Sequence, residues 1–309
     1  VFEVNGARDT ANNFTSDGIS VNDIVSSRNT PNGFSGEVES LENVKVMTAN
    51  NSAEYPQVAQ FNAISRSGTN QLHGSVFWGN FNSFLSARSW ADQTAPSFTN
   101  SNEFAITNGG PVILPKIYNG KDRTFYFFSY GGQRYRIGNR QYLTLPTDAF
   151  REGDFSAIAG STTIVDPLTG LPFPGNKIPS SRISSVSQKV QSLLYPQANL
   201  TGVGVFGYNN YYKDPGGQFN SDVYSWRVDH KISDRNYLFV RYGWTKTNQD
   251  YYAGALLDGN GSGNEKDNFP SNFIVISDTH SFTPSLVNEA KIGFSRLSYA
   301  ITDINYGKD

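Results

Sequence analysis

The residues that could do chemistry are few and scattered. Three histidines, His73, His230 and His280, fall in three different strand-like segments. No two of them have the spacing of metal ligands, so each reads as a strand or turn residue. Asp229 and His230, with Ser225 nearby, invite an acid–base reading. Consecutive residues of a strand point to opposite faces, however, and that separates the pair. Asp258, Asn260, Ser262 and Gly263 are spaced like the first half of a calcium loop. The twelfth position, where such a loop needs a bidentate Glu, is Phe269, so the stretch reads as a loop tip. Ser16-Asp17-Gly18 and the glycine pairs at 109–110 and 131–132 lack the strand-to-helix context of a phosphate loop and read as turns, bulges or close-packed strand sites. Cysteine is absent, which excludes disulfides, thiol catalysis and Cys-based zinc sites. The expectation is no catalytic residue, no cofactor and no metal ligand, and hence no enzyme. Residues that bind a ligand cannot be read.

What must position these residues is a sheet. The chain has 309 residues, 14% aromatic with 22 Phe and 17 Tyr, 29 Gly, and a mean hydropathy of −0.46. Such a chain, rich in Asn, Ser and Gly, favours strands and loops over helices. Charged residues are only 17%, the net charge is −2 and no basic run stands out, so nucleic acid is not an expected partner. One segment has helical period, Ser184 to Pro196, with Val186, Val190, Leu193 and Leu194 on one face. No stretch approaches the ~18 apolar residues of a transmembrane helix, while a membrane β-barrel needs only ~9–11 alternating residues per strand.

Seven strand candidates follow Asn70: 71–84, 103–114, 122–136, 222–231, 236–247, 272–282 and 286–300. In the fifth, Leu238, Val240, Tyr242 and Trp244 oppose Arg241, Gly243 and Thr245. In the fourth, Tyr224, Trp226 and Val228 oppose Ser225, Arg227 and Asp229. In the seventh, Ala290, Ile292 and Phe294 oppose Glu289, Lys291 and Ser295. A soluble sandwich alternates in the same way. The connections discriminate, because they alternate long (85–102, 137–221, 248–271) with short (115–121, 232–235, 283–285). Tight turns at one end and large loops at the other are the asymmetry of an outer-membrane barrel. The aromatic residues Trp78, Phe81, Phe125, Tyr126, Trp226, Tyr237 and Trp244 would then form interfacial girdles.

Several stretches resemble the Oar-like TonB-dependent outer-membrane receptors. They include "NGARDTANNFTSDGISVND", "VESLENVKVMTANNSAEYPQVAQFNAISRSGTNQLHGSVF" and "RTFYFFSYGGQRYR". "LPTDAFREGDFS", "DPLTGLPFPGNKIPSSRIS" and "SWRVDHKISDRNYLFVRYGW" continue the series in the family's order. One departure is Pro56-Gln57-Val58-Ala59-Gln60, where relatives carry a glycine pair after the residue matching Tyr55. The resemblance implies a mainly β chain: a partial antiparallel transmembrane β-barrel preceded by the C-terminal part of a small plug domain. It implies plug for residues 1–70 and, for 71–309, the N-terminal part of a barrel of about 22 strands with long extracellular loops. The junction would fall at Ser67-Gly68-Thr69-Asn70, Gly68 and Asn70 supplying unusual backbone angles, with Phe61 and Ile64 facing the plug's own core.

The implied partners are outer-membrane lipid, the TonB system and an extracellular ligand of unknown chemistry, and the location is the bacterial outer membrane. "VFEVNGARDT" reads as the middle of a domain, so the chain is expected to be a piece of a longer protein. Two rival functions are an outer-membrane adhesion or interaction protein and a secreted β-rich carbohydrate-binding domain. The latter would need convergent carboxylates if hydrolytic, and none is recognisable.

Overall fold

A computed structural model describes residues 4–8, 11–22, 38–49, 57–87, 90, 97–252, 264–303 and 306. The candidate calcium stretch, Asp258 to Gly263, lies outside them.

Two sheets carry the architecture. The first joins β1 (Asn12–Ser16), β2 (Ile19–Ser20), β3 (Leu41–Met47) and β4 (Ala59–Ser65) in the order β2-β1-β4-β3. β1 runs parallel to β4 and the other pairs are antiparallel. Asp17 and Gly18 form its β1–β2 turn in the left-handed region, with φ of 48° and 87°. The second sheet is an antiparallel meander: β5 (His73–Asn82), β6 (Thr99–Pro111), β7 (Thr124–Ile137), β8 (Gly217–Ser233), β9 (Asn236–Tyr252), β10 (Asn264–Thr283) and β11 (Leu286–Leu297). A short β12 (Ala300–Asp303) prolongs β11 against β10. All seven strand candidates form. The sheet stays open, with β5 and β11 at its edges, as a partial barrel must. No helix among the described residues is long and apolar enough to cross a membrane.

The strands run further than their apolar alternation. β9 and β10 pair from Asn236↔His280 to Tyr252↔Asn264, so the expected 248–271 connection shrinks to 253–263. Likewise 85–102 becomes 83–98 and 137–221 becomes 138–216. Backbone pairing continues through Asn-, Gln- and Asp-rich segments because the ladder needs only N–H and C=O groups. The long–short alternation is weakened: the other connections are 112–123, 234–235 and 284–285, and 112–123 is no shorter than 253–263, so only the contrast of 83–98 and 138–216 with the two tight turns remains.

The outward face of the wall is mainly apolar, whereas the inward face mixes polar groups with buried Ala105, Phe127, Val223, Phe273 and Val275. Outward, rows of apolar residues cross the wall, such as Phe128, Trp226, Tyr242, Ile274 and Phe294. Tyr224 stacks on Tyr130 and Trp244 at ring distances of 4.7 and 5.2 Å. The apolar band drifts along the strands. On β5 it is carried by Val76 and Trp78, which align across the ladders with Trp244 and Lys246 of β9. On β11 it is carried by Ile292 and Phe294, which align with Val240 and Tyr242. Inward, Ser129, Ser225, Asp229, Arg241, Thr245, Ser271 and Ser277 are all buried. Leu238, Val240, Tyr242 and Trp244 thus face outward and Arg241 and Thr245 inward, as expected.

The small sheet lies on that inward face. Phe14 and Val21 share one core cluster with Val223, Phe273 and Val275 of the wall. This corrects the expectation of a separate core: Phe61 stacks on Phe14 at 4.6 Å and packs on the shared cluster, while Ile64 is 38% exposed. A four-stranded sheet has too few apolar side chains to bury a core by itself. Gly293 of β11 seats Ile19, whose side chain would meet an added Cβ at 2.5 Å.

The junction differs in cause from expectation. Neither Gly68 nor Asn70 adopts positive φ. Gly68 is required by close approach, since a Cβ there would sit 2.1 Å from the Tyr126 carbonyl oxygen. Asn70 ties the junction to the 112–123 connection by accepting the Asp122 amide at 2.7 Å and donating to the Asp122 carboxylate.

The 138–216 connection is folded. It holds α1 (Asp148–Arg151) and α2 (Ser185–Leu194), and the pairing of Gln141–Leu143 with Tyr211–Lys213 closes its base. α2 matches the segment of helical period, yet Val186 and Leu193 remain exposed. Asparagine side chains supplement its few buried apolar residues, Leu145 and Ile158. Asn176 accepts from Ile164 N at 2.7 Å and donates to the carbonyls of Phe155 and Thr162 at 2.9 and 3.0 Å. Asp166 pairs with Arg182 at 2.7 Å and Asp154 with Lys177 at 2.6 Å. Hydrogen bonding to Lys177 lowers the Asp154 carboxyl to about 2, and hydrogen bonding to Arg182 lowers that of Asp166. The folded connection therefore binds fewer protons than the unfolded chain. Their stabilisation is fully present above about pH 4 and fades as pH falls toward the folded values. Amide exchange at Leu168 and Phe173, corrected for its intrinsic pH dependence, should show constant protection from pH 5 to 4 and declining protection below 3. Undiminished protection at pH 2 would refute this.

Candidate functional site

The most concentrated chemistry lies where the small sheet meets the wall, and its members come from distant parts of the chain. The β1–β2 turn aims Asp17 at the wall, the end of β4 supplies Ser65, and β8 and β9 present Arg227, Asp229 and Arg241. Strand alternation fixes those last three inward, and the register pairs Arg227 with Arg241.

Arg241 is fully buried. Its Nη1 donates to Asp17 Oδ2 at 2.6 Å and to Ser16 Oγ at 2.7 Å, and its Nε reaches Ser225 Oγ at 3.2 Å. Arg227 grips Asp229, with Nε 3.0 Å from both carboxylate oxygens and Nη2 2.8 Å from Oδ1. Its Nη1 donates to Ser65 O and Oγ at 3.0 and 2.7 Å, and lies 3.7 Å from Asp17 Oδ1. Asp17 also accepts the Ser65 amide at 2.9 Å. Asp229 accepts from Tyr237 Oη at 2.6 Å and Ser67 Oγ at 2.7 Å. The guanidinium of Arg227 covers the Phe239 ring at 4.2 Å, and that of Arg241 faces Phe273 at 5.5 Å.

Two cations and two carboxylates balance, so each buried charge is compensated, as burial demands. The hydroxyls of Ser65 and Ser67 donate to Asp17 and Asp229, and both carboxylates are at the same time engaged by arginines. What the arrangement can do is hold one sheet against another through directional bonds that break together. Beside it lies a cavity of about 360 Å³ lined by Asp17, Asn62, Ile64, Arg227, Glu289 and Lys291, the last two paired at 2.8 Å.

The residues weighed from sequence fall as follows. Asp229 is fully buried inward, whereas His230 lies on the other face, bonded to Thr124 Oγ1 at 2.7 Å. Ser225 serves Arg241. His73 contacts the Gln71 carbonyl at 2.9 Å and His280 the Asn236 amide at 3.2 Å, so the histidines stay apart. Phe269, the twelfth calcium-loop position, lies in β10 opposite Thr247. No metal-binding cluster occurs among the described residues. Ser16-Asp17-Gly18 is the turn expected, but the role of the Asp17 carboxylate was not foreseen. The available signal was Arg241 itself, an inward arginine with no carboxylate on its own hairpin face beyond the one Arg227 takes.

The sequence profile of the family described as "Outer membrane beta barrel domain" matches residues 64–309. No curated protein matches the chain. Among solved structures, the outer membrane transporter YddB from Escherichia coli superposes with a TM-score of 0.56 at 10% identity, over 95% of this chain and 32% of that one. A variant of the ferric enterobactin receptor PfeA from Pseudomonas aeruginosa gives 0.49 at 12% identity, over 93% of this chain and 33% of that one. The chain thus spans about a third of the length of these structures. With an open antiparallel wall, apolar outside and polar inside, and a profile match over residues 64–309, the chain belongs to the outer membrane β-barrel family and resides in the outer membrane.

Proposed function

We propose that the chain is part of a TonB-dependent receptor that imports a ligand captured outside the cell. Residues 1–70 are then the later part of a plug and 71–309 the first strands of the barrel around it. The observation that carries this reading is the small mixed sheet fastened to the polar inner face through Asp17, Arg227 and Arg241. A sheet bound by a compact group of ion pairs beside a small shared apolar cluster can be released by pulling on its chain, which suits gating by an energised partner. The likeness of the described wall to an outer membrane transporter agrees with it. The ligand would meet connections 83–98, 138–216 and 253–263, and the chemistry is not bond-making.

Growth tests decide between import and adhesion. Strains lacking the gene, or lacking TonB, are grown with ferric catecholates, glycans or peptides as sole iron or carbon source. Import predicts that both deletions abolish growth on one common source. Normal growth on every source, with surface attachment lost only when the gene is absent, would replace import by adhesion.

Orientation is tested separately. Trypsin added to intact cells should cut the 138–216 connection, where Lys177 is exposed, and spare Arg235 in the tight β8–β9 turn. Cutting at Arg235 with 138–216 intact would invert the wall.

A further inference from the structure

The inward rows of the wall change character between the small sheet and connections 83–98 and 138–216. The inward cations Arg227, Arg241 and Lys291 lie at the level of the small sheet, paired with Asp229, Asp17 and Glu289. Lys231, beside the tight β8–β9 turn, pairs with Asp234. Beyond the buried Val223 and Thr245, the next two inward rows are open to solvent. There Tyr135 and Phe219 stand directly opposite in register, flanked by the amides of Gln133 and Gln249. The carboxylates Glu103 and Asp267 share these rows, with Glu265 and Asp303 inward above them. Every Arg and Lys of the same strand segments, from Arg134 to Arg296, has outward parity, where Asp222 and Asp250 join them.

The folded 138–216 connection repeats this chemistry. A trough of about 440 Å³ is lined by Leu145, Pro146, Phe150, Phe155, Phe206 and Tyr208. Phe150 stacks on Phe155 at 5.1 Å, and Phe206 lies 6.1 Å from Phe150 and 5.7 Å from Tyr208. A second hollow of about 340 Å³ shares Pro146 and Gln191 with the first and adds Val186, Val190 and Tyr195. Both fall in the size range of small-molecule sites. Among the described residues, the one charged group lining them is Arg151. Its three nitrogens already donate to the carbonyls of Pro146, Tyr195 and Pro196, at 3.1, 3.1 and 2.6 Å. Lys189 is exposed on α2 but does not line the trough.

We infer that the ligand is an uncharged oligosaccharide, captured on the rings of Phe206 and Tyr208 and passed inward along Tyr135 and Phe219. The inference rests on the import reading. A sugar ring offers an apolar C–H face to an aromatic ring and hydroxyls to the amides and carboxylates around it. Both surfaces supply that pairing. An anionic metal chelate would meet four inward carboxylates and no inward cation on the wall above the small sheet; Arg8 and Lys45, exposed on the N-terminal segment and β3, are outnumbered by them. A cationic peptide would suit those carboxylates, yet no carboxylate lines the trough where capture begins. An uncharged ligand satisfies both places.

The full-length receptor in detergent is titrated by calorimetry with neutral glucan, xylan and mannan oligosaccharides, a ferric catecholate and a lysine-rich peptide. At least one neutral oligosaccharide should bind, and neither charged probe should. Phe206→Ala/Tyr208→Ala should weaken that sugar about tenfold, and Lys189→Glu should leave it unchanged. Phe206 also packs on Phe150, so Tyr208→Ala alone, at a ring 55% exposed, should give part of the loss with heat-dependent gel mobility unaltered. In whole cells Tyr135→Ala/Phe219→Ala should slow uptake of the same labelled sugar about tenfold. Failure of every oligosaccharide to bind, or unchanged binding in the folded Phe206/Tyr208 variant, overturns the inference and leaves import standing. Binding of the catecholate or the peptide in place of sugar does the same. Sugar binding with uptake independent of TonB would overturn import and leave the ligand class standing.

Discussion

Replacing Arg241 by alanine will loosen the small sheet from the wall by about 3–5 kcal/mol, the usual cost of breaking a buried pair from one side. The loss is large because Asp17 would stay buried, keeping Ser65 and an Arg227 guanidinium 3.7 Å away. Urea titration of the full-length barrel in lipid, read by protease access to residues 1–70, measures it. Asp17→Asn should cost a comparable amount by stranding Arg241. The double variant Arg241→Met/Asp17→Asn should fall well short of the sum, because neither charge is then left alone. A cost below about 1 kcal/mol for Arg241→Ala, or simple additivity, would mean that the shared apolar cluster alone holds the sheets together.

The second large effect is expected at Val240. It lies in an outward row with Val228, Ile276 and Ile292, inside the apolar band. Val240→Arg should destabilise the folded barrel by about 2–4 kcal/mol, the penalty for arginine near the bilayer midplane. Thr245 is no control, because it is 1% exposed and an arginine there would clash. Asn248→Arg serves instead: it is outward on the same strand, beyond the aromatic row, and should cost about 0–1 kcal/mol. Equal costs at positions 240 and 248 would place the lipid elsewhere.

The wall was legible in the sequence because its two faces meet different solvents. Leu238, Val240, Tyr242 and Trp244 against Arg241 and Thr245 is a pattern of period two that only a strand satisfies. The strand ends were not legible, since Asn248 and Gln249 pair through their backbones and carry no apolar signal. Asp17, Ser65 and Arg227 escaped for another reason. Their meeting depends on how two sheets dock, and sequence separations of more than 150 residues between Ser65 and Arg227 leave no local trace. Gly68 was singled out correctly but for the wrong reason, because a close carbonyl leaves the same mark on composition as a positive φ.

A bilayer is flat, so the drift of the apolar band from Trp78 on β5 to Phe294 on β11 measures how far the strands lean. The band shifts by roughly four residues, about 13 Å, over six strand spacings of about 4.8 Å each. That slope corresponds to an inclination on the order of 25°, somewhat below the usual tilt of such barrels. On β9, Tyr252 lies eight residues beyond Trp244, which at that inclination raises it roughly 24 Å above the aromatic row. The folded 138–216 connection is rooted on β7 and β8 beside this collar. The folded connection therefore stands well clear of the aromatic row, so it and the lipid-facing band occupy mechanically separate levels of one wall.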